Sequence, residues 1–187
     1  LAELFQEALA RPGGALARGP NRYYVEIHPE RLRGFVDIVT HPWVVAVCRA
    51  VLGATEGKRK PGELLALMGH GQSHGRADLT FEGTRAVFHD ADKRVFMATV
   101  EGTRSVDDLL AELKAAKVKK VVIEPLMLVA GDHANNDMAG SEEDSWKSMI
   151  EKMGVKTVGH LQGIGRNAAV QAIYVQHAVA AEAGVQR

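Results

Sequence analysis

The chain has 187 residues, 46% of them hydrophobic and 25% charged, enough for one domain with a sizeable core or one domain plus an extension. Its 23 Lys and Arg balance 23 Asp and Glu, giving a net charge of zero, so nothing steers it toward nucleic acid. No apolar run nears the ~20 residues that span a bilayer, and neither nucleic acid nor membrane is an expected partner.

A single cysteine, Cys48, rules out a disulfide framework within one chain and suits a reducing, cytoplasmic setting, with the periplasm left open. It lies in an apolar stretch and reads as a small buried hydrophobe. The start on Leu1 suits a processed or trimmed product.

Residues 3–10 predict a short helix, RPGGALARGP a loop and RYYVEI a strand. HPWVVAVCRAVLG predicts an apolar helix with Pro42 near its start and Gly53 as its stop. The turn-rich basic stretch ATEGKRKPG (54–62) then divides the chain into an N-terminal extension, 1–60, and an α/β domain, 61–187.

Beyond that point the pattern is regular. ELLALMG (63–69) is a continuous apolar run, as in a strand buried on both faces. A helical segment over about 76–89 follows, then the strand KRVFMATVEG (93–102). SVDDLLAELKAAK (105–117) is an amphipathic helix with Ser105 as N-cap and two aspartates in its first turn. VKKVVIEPLMLVAG (118–131) predicts a third strand and EEDSWKSMIEKMG (142–154) a helix with three acids in its first turn and Gly154 as its stop. VKTVGH (155–160) is a fourth strand and NAAVQAIYVQHAVAAEAG (167–184) the closing helix. Strand alternating with helix four times predicts a parallel sheet flanked by helices on both faces.

In such sheets ligands bind outside the carboxyl ends of the strands. The first three runs end on M-G-H-G, V-E-G and A-G-D-H, so His70, Glu101 and His133 arrive one strand–helix unit apart at the same edge. Two imidazoles and a carboxylate suit a borderline divalent ion such as Co²⁺, Fe²⁺, Ni²⁺ or Zn²⁺, and they are also candidate bases. The glycine-rich QGIGRN (162–167), opening the last helix, offers free N–H groups and Arg166 to an anion such as a carboxylate. His74 is a candidate for the mouth of the site. Asn135 and Asn136 either donate to ligand carboxylates or close an Asx turn, while Asp137 and Ser141 read as loop-shaping caps. His28, His41, His89, His160 and His177 read as structural or solvated.

Residues from about 63 to 183 resemble the C-terminal half of the anaerobic, class II sirohydrochlorin cobaltochelatases. The likeness rests on LMGHG (67–71), TVEG (99–102), PLMLVAGDHANNDMAGSEEDSWKSM (125–149) and GIGRN (163–167). It implies a chelatase-like α/β fold of the class II superfamily, in which two similar halves enclose a tetrapyrrole. The implied activity is that of a lyase forming nitrogen–metal bonds: insertion of Co²⁺ into sirohydrochlorin during cobalamin biosynthesis, with Fe²⁺ or Ni²⁺ as other candidates. His70, Glu101 and His133 would bind the metal, with Gly163, Gly165, Arg166 and Asn135 on the carboxylates of the ring. The family's complete N-terminal half is not legible here, so it is incomplete or replaced. A homo-oligomer supplying a second lobe, or a non-catalytic tetrapyrrole or metal carrier, are the expectations this raises. A hydrolase or oxygenase with the same donor set is disfavoured by the absence of H-E-x-x-H and H-x-D. Residues 21–53 have a looser likeness to the helical N-terminal part of phytanoyl-CoA dioxygenase-like proteins, from which no function follows.

Overall fold

The computed structural model of the protein describes residues 15–17, 23–25, 42–56, 59–60, 63–72, 79–102 and 104–185. The predicted helix 3–10 and His74 lie outside them. Two short strands, β1 (Ala15–Ala17) and β2 (Tyr23–Val25), pair antiparallel; β1 falls where a loop was expected. There follow α1 (Pro42–Glu56), β3 (Leu64–Gly71), α2 (Leu79–Ala91), β4 (Val95–Glu101) and α3 (Val106–Ala115). The chain continues through β5 (Lys120–Pro125), α4 (Trp146–Lys152), β6 (Lys156–Gly159) and α5 (Ala168–Val185). Strands β3 to β6 form one parallel sheet in the order β4-β3-β5-β6, which is the α/β architecture the alternation predicts.

The central strand β3 shows why its sequence does not alternate. Side chains 64, 66 and 68 pack on one face against Leu109 and Leu113 of α3 and Trp146 and Ile150 of α4. Leu65 and Leu67 pack on the other, with Cys48 and Val51 of α1, Phe88 of α2 and Val170 of α5. A strand covered on both sides has no polar face to show. Burial also pushes the Cys48 thiol up to about 11, so it stays a thiol and acts as core.

Several boundaries differ from expectation for local reasons. Helix α1 runs through Gly53 to Glu56. A Gly inside a helix costs about 1 kcal/mol relative to Ala, less than the burial of Cys48 and Val51 just before it returns. The acids of 142–144 precede α4 rather than form its first turn, because Ser145 is the cap: its Oγ accepts from the Ser148 N–H at 3.2 Å and donates to the Gly140 carbonyl at 2.9 Å. Ser105 does cap α3, in a box closed by Asp108, and Gly154 ends the α4 turn at φ +77°. The predicted third strand stops at Pro125 rather than Gly131. Proline has no N–H to continue a ladder, and after Leu126 donates to the Met68 carbonyl the chain leaves the sheet.

Arg59, within the basic stretch that divides the sequence, is buried and donates to Asp92 at 2.6 Å. Asp92 also accepts from the Arg94 N–H and guanidinium at 2.9–3.0 Å. Burial alone raises the carboxyl, but the bonds from Arg94 and then Arg59 outweigh it and hold it at about 2. A carboxyl depressed in the folded state stabilises above its unfolded value near 3.9 and loses that contribution as pH falls toward 2. Asp92→Asn is therefore expected to lower the unfolding free energy at pH 7 by about 1–2 kcal/mol. The difference from wild type should shrink between pH 4 and 2, as checked by urea titration across that range.

Candidate functional site

The direction of the crossovers builds the site. Strand β3 leaves its C-terminal end toward α2, on the Leu65–Leu67 face, whereas β5 is followed by α4 on the opposite face. These two strands are neighbours. Adjacent parallel strands whose connections part to opposite faces leave a crevice at their carboxyl ends, the usual ligand position in an open sheet. His70 sits at the end of β3, and His133 follows β5 after an irregular stretch.

The two imidazoles meet there, with ring centroids 4.9 Å apart and planes at 82°. His70 Nδ1 lies 3.0 Å from the Gly71 carbonyl oxygen, and His133 Nδ1 lies 2.5 Å from Asp137 Oδ2. Carbonyl and carboxylate oxygens only accept, so both Nδ1 atoms carry hydrogen and both Nε2 atoms are left to present a lone pair or take a proton. A histidine fixed through Nδ1 to a carboxylate is the arrangement that orients an imidazole for a metal.

His133 does not end a strand as expected. It caps the π-helical turn Ala134–Met138, whose buried Ala134 and Met138 anchor it. Such turns are rare and recur at functional sites. The polar residues around His133 shape this turn: the Asn135 amide donates to the Ala130 and Gly131 carbonyls at 3.1 and 2.7 Å, and Asn136 donates to Asp132 at 2.6 Å. Asn135 thus closes the turn. Asp137, read from sequence as a cap, is instead the hydrogen-bond partner of His133, which that reading missed. The i, i+4 spacing from His133 would have found it had the segment been recognised as helical.

Glu101 closes β4, in register with Gly71. Side chains alternate along a strand, so Glu101 is in phase with Met97 and Thr99, on the face opposite that of Met68 and His70. Accordingly, among the described residues no group of three His, Cys, Asp or Glu is placed to hold a metal ion. The structure brings His70 and His133 together and leaves Glu101 at the same edge, outside that pair.

The 163–167 loop does not offer the free N–H groups its glycines suggested. Those of Ile164 and Gly165 bond the Met127 and Leu128 carbonyls, and those of Arg166 and Asn167 bond Gly163 and Ile164. The Asn167 side-chain Oδ1 accepts from the Ala169 N–H at 2.9 Å. Gly163 and Gly165 serve close packing instead, since a Cβ on either would sit 2.5 or 2.7 Å from the Leu128 oxygen. Arg166 remains exposed.

Glu124, one residue before the end of β5, is buried with His160 Nδ1 3.8 Å from its Oε2. An apolar cavity of about 380 Å³, lined by Trp43, Val47, Phe81, Phe88, Ile173 and Tyr174, opens between α1, α2 and α5. It lies on the face away from His70, and its lining is mostly apolar, with Thr80, Thr84 and His177 among the polar side chains.

A family model described as cobalt chelatase (CbiK) matches residues 45–182. It begins within α1, so most of the helix that resembled dioxygenase-like proteins falls inside the chelatase match. Among curated proteins, the sirohydrochlorin cobaltochelatase CbiKC of Nitratidesulfovibrio vulgaris is 36% identical over 132 residues, 71% of this chain and 46% of that protein. A sirohydrochlorin cobaltochelatase of Salmonella typhimurium is 39% identical over 118 residues, 62% of this chain and 43% of that protein. The matched stretch thus spans less than half the length of either relative. No helix among the described residues is long and apolar enough to cross a membrane. With a parallel α/β sheet carrying paired imidazoles at its switch point and a family match over most of its length, the chain belongs to the CbiK cobalt chelatase family.

Proposed function

We propose that this chain inserts Co²⁺ into a sirohydrochlorin-type tetrapyrrole, with His70, Glu101 and His133 as the metal-binding set. The observation that carries the reading is the His70–His133 pair, two rings 4.9 Å apart whose Nδ1 atoms are both engaged, which leaves Nε2 as the donor of each. The names of the relatives support the substrate. Fe²⁺ and Ni²⁺ suit the same donors, so the choice of metal follows availability as well as affinity.

The chemistry exchanges one set of nitrogens for another. A divalent ion held by two imidazoles is passed to the ring, and two pyrrole protons must leave. Each Nε2 that releases the metal recovers a lone pair at the place where a proton departs, so ligand exchange and deprotonation are served by the same atoms. The imidazolium formed at His133 is stabilised by Asp137. Glu101 enters as third ligand by reaching over the strand ends from β4. The exposed Leu128, Val129 and Leu161 offer an apolar wall to the macrocycle, and Arg166 a cation to its carboxylates.

A second reading, a tetrapyrrole or metal carrier, draws on the absence of a three-donor group among the described residues and on the half-length match. Visible absorption of sirohydrochlorin mixed with the chain, with and without Co²⁺, separates the two. Metal-dependent conversion to the cobalt complex, over many turnovers and faster than in buffer, is expected. A band shift without turnover makes the chain a carrier, and an unchanged spectrum removes both readings.

A further inference from the structure

Among the described residues β4 is an edge strand, with β3 as its one neighbour in the sheet, yet it carries Glu101 at its end. No ladder among the described residues holds that end from its outer side. Three residues on, Arg104 does so by two routes. Its carbonyl accepts both the Thr99 N–H at 2.9 Å and the Thr99 Oγ–H at 3.0 Å, which closes the chain from 99 to 104 into a tight turn around Glu101 and Gly102. Its guanidinium donates through Nε to Glu82 of α2 and through Nη1 to Glu112 of α3, each at 3.0 Å. Glu82 is itself held by Arg85 at 2.9 Å. Helices α2 and α3 cover opposite faces of the sheet, so this one side chain straps both helices across the open edge. Part-buried and networked, the pairs are of the kind that outlasts an isolated surface ion pair.

We propose that Arg104 is a positioning residue for metal binding, acting through the 99–104 turn to fix the end of β4 from which the Glu101 carboxylate reaches over to His70 and His133. The inference rests on the proposed role of Glu101 as a metal donor. It adds that this donor, unlike the two imidazoles, is aimed by a guanidinium bridge from outside the crevice. The Glu101–Gly102 backbone leaves little freedom of its own: Gly102 is at φ +138° and the Glu101 carbonyl abuts Gly71. Loosening the bridge therefore releases the turn as a unit.

The test is a double-mutant cycle read by Co²⁺ titration of the full chain, followed by its visible absorption, with insertion kinetics alongside. Arg104→Ala is expected to weaken Co²⁺ binding by about 10–100-fold, the range for lost outer supports of a metal ligand. Tetrapyrrole affinity should stay within twofold. Glu82→Gln, which removes one anchor without touching the turn, should give a smaller change in the same direction, and Arg104→Lys a partial recovery. In a Glu101→Gln background, Arg104→Ala should add nothing, because its effect passes through that carboxylate. Effects that multiply independently, or a loss of thermal stability with Co²⁺ affinity unchanged, overturn the positioning role. If wild type binds Co²⁺ and shows the non-additive cycle but never metallates the ring, the positioning role stands and the chelatase reading falls. If Glu101→Gln binds Co²⁺ like wild type, Glu101 is no donor and the positioning role falls with it, whatever the turnover.

Discussion

Replacing His133 with Ala is expected to lower metal insertion by about 10²–10⁴-fold, the range for loss of a positioned general base, with the loss of a metal ligand added to it. The size follows from two duties meeting at one atom. In the proposed mechanism Nε2 of His133 is a donor to the ion; its ring stands 4.9 Å from that of His70 and its Nδ1 is tied to Asp137, so a proton taken at Nε2 would create an imidazolium already next to its counter-charge. Tetrapyrrole affinity should change far less, because an imidazole is a small part of the surface a macrocycle covers. Insertion rate measured at saturating substrate, with affinity determined separately, distinguishes these duties from that of a wall. A variant that binds the ring tenfold worse and inserts metal at the wild-type rate would make His133 a lining residue. His177→Ala, on α5 against Trp43 at 3.9 Å, is the comparison variant, expected to turn over like wild type.

How much of this arrangement was legible in the sequence depended on the kind of signal. The run at 63–69 was readable as a strand because both of its faces are covered, and a continuous apolar run says so directly. The meeting of His70 and His133 followed from one topological rule, that successive parallel strands deliver their ends to one edge. What the rule does not contain is the phase of the last side chain. Glu101 arrives at the right edge and on the other face, because one residue of register decides the face. Nor does periodicity reveal what comes after Pro125. The apolar LMLVAG looks like more strand, yet Met127 and Leu128 accept from the Ile164 and Gly165 N–H groups instead of from a strand. A long-range pairing of two loops leaves no period in either. The same pairing explains why the 163–167 glycines misled: they are small so that Leu128 can approach, and the N–H groups that looked available to a ligand are used in making that approach.

The crevice also shows why its two histidines are not equivalent. His70 is fixed by a neutral carbonyl one residue away, on a strand embedded between two others. His133 is fixed by a carboxylate four residues on, in a π-helical turn held by Asn135 and by two buried side chains. The two rings are thus held by different means, His70 through the backbone beside it and His133 through a side chain of its own turn.

Gly71→Ala is expected to disable the site from the strand side and to destabilise the fold together. Gly71 lies at φ +78°, where an L side chain adds about 1–2 kcal/mol of strain. A Cβ built there would overlap the Glu101 carbonyl oxygen, 2.6 Å from its carbon and 2.7 Å from Thr99 Cβ. No rotamer relieves a clash with backbone, so β3 and β4 must part at the ends that carry His70 and Glu101. Adding an overpacking cost of about 1–3 kcal/mol to the strain, the variant should lose roughly 2–5 kcal/mol in urea unfolding. Its Co²⁺ affinity should fall in whatever fraction remains folded. Gly53→Ala makes the contrast: nothing lies within 4 Å of its Cβ inside α1, so the same added methyl should stabilise by about 0.5–1 kcal/mol. If both substitutions proved neutral, the ends of β3 and β4 would not be in the contact described, and neither Glu101 nor the turn that carries it would be held at the edge where the two imidazoles meet.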